Sequence, residues 1–240
     1  MKSTIVIGVG PIDGLGAQLC RRFAASGLHV QVAGRSASKL DEVVALIESE
    51  GGKASSFVAD VTDEARVAEL FDAACAIGPL SLAIYNVGNN TPGQISEMEA
   101  DYFIQSWQSG CFGGFLFGRE ASRRMLAADG GTILFTGASA SLRGKANFGA
   151  FNSAKAGLRT LAQALAKEVG PENIHVGHVI VDGGIYGEKI KNRFPDYAKE
   201  RGEDGLVSLE GIVDAYEFLY GQKRTAWTFE VDLRTSVENW

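Results

Sequence analysis

Short apolar runs recur along the chain, separated by stretches of helical spacing. TIVIG, LHVQVAG, KASSFVAD, LSLAIYN, TILFTG, IHVGHVIVDG and AWTFEVDL are compact and rich in β-branched or aromatic residues, as buried strands are. Between the second and fourth of them lie SASKLDEVVALIESEG and TDEARVAELFDAACAIG. Each opens on Ser or Thr with carboxylates nearby and closes on Gly, the pattern of capped helices. Further on, Leu158, Leu161, Leu165 and Val169 recur at helical spacing. Strand and helix in alternation predict an α/β fold: a Rossmann-type, doubly wound parallel sheet of about seven strands with helices on both faces. Right-handed crossovers then place every strand's C-terminal end along one edge, where ligands bind. The long irregular stretch, about residues 183–207, is polar, Gly-rich and charged, and directly follows a strand. It is expected to act as a substrate lid.

Composition narrows the function. A chain of 240 residues with 45% hydrophobic content buries one sizeable core, so residues 1–240 are read as a single domain. A net charge of −6, without a block of Lys or Arg, argues against nucleic acid or an anionic membrane as partner and favours a small-molecule substrate. The first strand begins almost at Met1, leaving no room for a leader, and no apolar run reaches transmembrane length, so a cytoplasmic protein is expected. Cys20, Cys75 and Cys111 lack paired spacing and are read as buried thiols. His175 and His178 have opposite parity on one strand, which is poor geometry for a shared metal, and no metal site is expected. Phe112, Phe115 and Phe117 are read as packing residues, and the tail ending in Trp240 as docked.

The first strand breaks into Gly10-x-x-x-Gly14-x-Gly16 and then opens onto the helical pattern AQLCRRFAASG. Glycines let the backbone turn tightly against a pyrophosphate, and a helix starting near Leu15 aims unpaired N–H groups at it. A dinucleotide site spanning Gly10, Ile12, Asp13, Gly14, Leu15 and Gly16 follows. At the end of the second strand, Gly34-Arg35-Ser36 offers a guanidinium and a hydroxyl where a carboxylate would select a free ribose 2′-hydroxyl. NADPH is therefore favoured. Asp13 dissents, since a carboxylate near a phosphate is repulsive; capping the helix would give it another role.

Together with the glycine loop, Ala59-Asp60-Val61, Asn86-Val87-Gly88 and Lys155 on a long helix resemble the short-chain dehydrogenase/reductase family over nearly the whole chain. The resemblance implies that Asp60 and Val61 face the adenine and that Asn86, Val87 and Gly88 wall the cofactor. It further implies that Lys155 holds the ribose and that Gly183 and Ile185 close over the nicotinamide. A homodimer or homotetramer is implied as well.

The chain departs from that family's pattern at its catalytic positions. The Tyr-x-x-x-Lys register reads Phe151-Asn152-Ser153-Ala154-Lys155, the serine position falls on Ala138 and the tetrad asparagine on Gly110. Asp182-Gly183 stands for the family's Pro-Gly, and Gly187 for a Thr. Phe151 cannot donate a proton, and general acid catalysis contributes about 10² to 10⁴ in rate. Three readings follow. One is an NADPH-dependent reductase of small carbonyls or imines with a replacement acid, for which Ser139, Tyr186 and Asp182 are the candidates beside Lys155. The second is an imine or iminium reductase that needs no phenol, with Phe151 as a cation-binding wall. The third is a non-catalytic NADP(H)-binding protein. Pocket positions are placed at Asn89 to Gln94, at Leu142 to Asn147 and in the lid.

Overall fold

The computed structural model describes residues 1–88, 90–202 and 204–238. Asn89, Glu203 and the tail residue Trp240 named above lie outside them. Among the described residues, seven strands form one sheet: β1 (Ser3–Ile7), β2 (His29–Gly34), β3 (Lys53–Val58), β4 (Leu80–Tyr85), β5 (Gly131–Ala138), β6 (Ile174–Asp182) and β7 (Glu230–Arg234). Their order is β3-β2-β1-β4-β5-β6-β7, and every adjacent pair is parallel. The order reverses beside β1, so the C-terminal ends of β1 and β4 flank the crevice where such sheets bind ligands.

Helices cover both faces. On one lie α1 (Leu15–Ala25), α2 (Ala37–Ser49) and α9 (Leu209–Tyr220), which enclose Phe23, Leu40, Ile47 and Tyr216. On the other lie α3 (Glu64–Ile77), α5 (Gly113–Leu126) and α6 (Gly149–Val169), around Phe71, Tyr85, Phe117 and Leu158. A shorter helix, α4 (Ala100–Trp107), runs into α5 through a π-helical turn at Gln108–Phe112. No helix among the described residues is long and apolar enough to cross a membrane.

Several local expectations are revised. Ser36 occupies the α2 N-cap position, but its hydroxyl turns to Ser38 instead of capping. For α3 the cap is Asp63, which accepts from the Arg66 N–H, while Thr62 serves Asp60. The stretch read as irregular holds two short helices, α7 (Glu188–Arg193) and α8 (Pro195–Arg201), and an Ile185–Val207 bridge closes its base. Cys20 and Cys111 are buried, whereas Cys75 is only half-buried. Phe117 packs in the core; Phe112 and Phe115 stack on each other nearer the surface. His175 stacks on Trp227, and His178 meets Glu230 beside the α6 residue Arg159, as opposite parity requires. No cluster of potential metal ligands occurs among the described residues.

Candidate functional site

The glycine loop is built by close backbone approach. A Cβ on Gly16 would stand 2.9 Å from the Gly8 carbonyl and from the Val9 Cα, so only glycine lets α1 sit against the end of β1. Gly8 itself has φ +92° and lies under the Asn86 carbonyl; it precedes the motif and was not among the expected site residues. Beside Gly10 the space is open. Gly14 caps α1 with no side-chain hydrogen bond, which leaves the first N–H groups of the helix for an anion. Ile12 is fixed by its carbonyl, which accepts from Gln18 Nε2 at 2.8 Å, and Leu15 is buried as α1 begins. These features fit a dinucleotide pyrophosphate.

Asp13 does not cap α1. Its carbonyl accepts from the Glu188 N–H at 2.9 Å and its carboxylate pairs with Lys191 Nζ at 3.4 Å, so it ties the glycine loop to α7. Tyr186, named above as a possible proton donor, is grouped with the same contact. Its ring lies 4.9 Å from Lys191 Nζ and is half-exposed. Gly187 packs here too, where a Cβ would stand 2.7 Å from the Asp13 carbonyl; a threonine has no room.

Arg35 and Ser36 are exposed where β2 ends. Next to them, Asp60 accepts from the Thr62 N–H at 2.9 Å and hydroxyl at 2.7 Å. Those bonds, helped by Arg35, hold its carboxyl below the ordinary range. Val61 is buried against Gly113. Asn86 accepts from the Thr136 hydroxyl at 2.9 Å and donates to the Gly8 carbonyl at 3.3 Å, which locks the ends of β1, β4 and β5 together.

Lys155 is the centre of the β5–β6 side. Projected from α6, its ammonium donates to the Val87 carbonyl at 2.9 Å and the Thr136 carbonyl at 2.7 Å. Burial brings its pKa down to about 8. The Phe151 ring centre lies 6.0 Å from Nζ, and a Cβ on Gly88 would touch both side chains. Residues four apart on a helix share a face, which brings the ring beside the amine as expected. At Gly110 a Cβ would stand 2.7 Å from that of Ala154, so the π-helical turn excludes an asparagine there.

Ser139 opens a 3-10 turn after β5, where its hydroxyl helps lower the pKa of Asp182 at the end of β6. Asp182 is buried and pairs with Arg143 Nη2 at 2.8 and 3.1 Å, with Arg234 3.7 Å away. Burial pushes its carboxyl up, but Ser139 and the two arginines outweigh this and hold it below the ordinary range. Asp182, one of the acids suggested above, is thus held toward its ionised form by its ion pairs. Gly183 follows with φ +150°, and Ile185 pairs with Val207 at the base of the segment over the site. Lys189 of that segment donates to Asn90 Oδ1 at 3.2 Å, joining the loops that follow β4 and β6. Arg143 and Lys189 fall within the stretches expected to line the pocket, but neither was singled out, since a lone basic residue there carries no spacing signal.

Residues 4–195 match the family model described as short chain dehydrogenase. Among curated relatives, an uncharacterized oxidoreductase of Bacillus subtilis (strain 168), YuxG, is 31% identical over 190 residues, or 78% of this chain; the chain spans 28% of that protein's length. A 2-dehydro-3-deoxy-D-gluconate 5-dehydrogenase of Formosa agariphila is 27% identical over 210 residues, covering 81% of this chain and 80% of its own. The crystal structure of a short-chain dehydrogenase from Rhodopseudomonas palustris superposes with a TM-score of 0.83 at 39% identity, covering 97% of this chain and 98% of that one.

Proposed function

Because the chain belongs to the short-chain dehydrogenase family, we propose that it is an NADPH-dependent oxidoreductase of small carbonyls or imines, in a divergent branch that works without a tyrosine acid. An oxidoreductase using a nicotinamide cofactor and a small-molecule substrate follows from the membership alone. The finer statement rests on one observation: Lys155 is kept as a buried ammonium with its pKa near 8, beside a phenylalanine ring where the family places its acid.

The bound nicotinamide supplies hydride transfer, which the protein assists by position. Gly8, Gly10, Gly14 and Gly16 would admit the pyrophosphate and α1 would meet its charge. Arg35 would take a 2′-phosphate through its planar fork, with Ser36 as a further donor. Asp13 does not oppose this, because its carboxylate is engaged by Lys191. Asp60, Val61, Asn86, Val87 and Gly88 would line the adenine and ribose. Lys155 would bond the nicotinamide ribose and keep positive charge beneath the reacting bond. Ser139, oriented by Asp182, would bond the substrate heteroatom. Residues 183–207, with Gly183 and Ile185 at their base, would close over the substrate. A single domain, a cytoplasmic site of action and a homodimer or homotetramer complete the proposal.

Phe151 favours an imine as a second reading. An iminium ion arrives already protonated and leaves as an amine, so no alkoxide has to be quenched, and an aromatic face attracts a cation. A matched panel of ketones and cyclic imines, with NADPH oxidation followed optically, separates the cases. Faster turnover of imines supports the second reading, and faster turnover of ketones removes it. If nothing is turned over while NADPH binds tightly, the non-catalytic reading stands instead.

A further inference from the structure

The rim of the cleft carries a charge opposite to that of the molecule. Overall the chain has a formal net charge of −6, yet between Ser139 and Lys155 it contains Arg143 and Lys145 and no acid. On the segment that packs on the glycine loop, residues 187–195 carry Lys189, Lys191 and Arg193 against Glu188. Lys191 is engaged by Asp13, whereas Lys189 donates to the neutral Asn90 amide. Lys189 and Arg193 stand four apart on α7, and like charges at that spacing destabilise a helix. Burial and Arg193 together push the Lys189 ammonium below its ordinary range. Cations gathered at a cleft against the net charge focus the field for an anion.

Arg143 is the best organised of these groups. Its own N–H bonds the Ser139 carbonyl, and Asn152 Nδ2 bonds the Arg143 carbonyl at 2.6 Å, so its backbone is pinned to the catalytic loop and to α6. Buried Asp182 holds Nη2 through both carboxylate oxygens. The side chain is nonetheless 43% exposed, leaving the rest of the guanidinium fork facing outward. An arginine already oriented by a buried carboxylate loses little freedom when it takes a second anion.

We propose that the substrate carries an anionic group, a carboxylate above all, and that Arg143 receives it, with Lys189 adding charge. The inference rests on the proposed oxidoreductase reading, whose reacting centre at Ser139 and Lys155 adjoins Arg143, but its test does not require turnover.

The probes are benzoate, the isosteric neutral benzamide and phenyl phosphate, each titrated calorimetrically into the full-length protein with and without saturating NADPH. Benzoate is expected to bind at least about tenfold more tightly than benzamide, the size of one charged hydrogen-bonded pair. Added salt should narrow the gap. Arg143→Met should abolish the preference, and Arg143→Lys should retain part of it. Should Arg143→Met fail to fold because Asp182 is left unpaired, the double variant Arg143→Met/Asp182→Asn removes both charges and reads the same loss. Tighter binding of phenyl phosphate than of benzoate would support the anion site and assign it to a phosphate. Equal affinities for benzoate and benzamide, no binding of any probe, or a preference that survives loss of Arg143 would overturn the proposal. A failure to bind NADPH would instead count against the oxidoreductase reading, since the probes are also titrated without it.

Discussion

The two halves of the site, meeting at β4, differ in how they treat the family's pattern. On the β1–β3 side the backbone dictates: Gly16 and Gly8 are held by contacts no side chain could survive, and Asp60 is locked by Thr62. On the β5–β6 side the proposed reading turns on side chains instead: Phe151, Ala138 and Gly110. Where a backbone must approach a ligand, few sequences work; where a side chain does chemistry, a scaffold tolerates replacement. Lys155 sits at the join, bonded to both β4 and β5 ends through Val87 and Thr136.

Breaking that join gives the largest expected effect. Lys155→Met should lower turnover of any confirmed substrate by about 10² to 10⁴ and also weaken NADPH binding, measured by steady-state kinetics and fluorescence titration. In the unaltered enzyme turnover should decline above pH about 8, as the ammonium is lost, and the variant should lack that limb. Stability runs the other way. The folded pKa lies below the unfolded one, so the unfolded chain binds more protons between the two values. Burial of the charge therefore destabilises fully below pH about 8, and stability should rise from there toward the ordinary lysine range, a slope absent in the variant by denaturant titration.

Supplying an acid probes the β5–β6 side. Phe151→Tyr should raise ketone reduction by up to about 10²-fold while leaving imine reduction within a fewfold. An unchanged ketone rate would mean that the phenylalanine is not what limits the chemistry.

On the β1–β3 side, Arg35→Glu should weaken NADPH by roughly 10- to 100-fold and leave NADH little affected, as loss of a charge-assisted bond predicts. Smallest of all should be Lys191→Met, which removes a largely exposed pair with Asp13 and so changes stability by about 0 to 1 kcal/mol. Its expected signature is faster NADPH release in stopped flow.

The same division governed what could be read from sequence. Apolar spacing located all seven strands and α6, and the glycine motif located the cradle, because periodicity and φ-permissive residues are local signals. The capping role offered for Asp13 failed because its partners, Glu188 and Lys191, lie far along the chain and meet it only when α7 folds over the loop. The ion pair of Asp182 with Arg143 was likewise hidden from the sequence. A carboxylate's role depends on its neighbours, and tertiary neighbours are not written in spacing. The close contact of Gly110 with Ala154 was not legible either.

The central proposal is that this fold binds and selects NADPH with Phe151, not a tyrosine, beside Lys155. It is tested most directly by titrating the purified protein with NADPH and then NADH, following nicotinamide fluorescence to both dissociation constants. The account predicts tight NADPH binding, with NADH weaker by roughly 10-fold or more. Equal affinities would contradict the role given to Arg35, and failure to bind either would contradict the cofactor site and every catalytic role built on it.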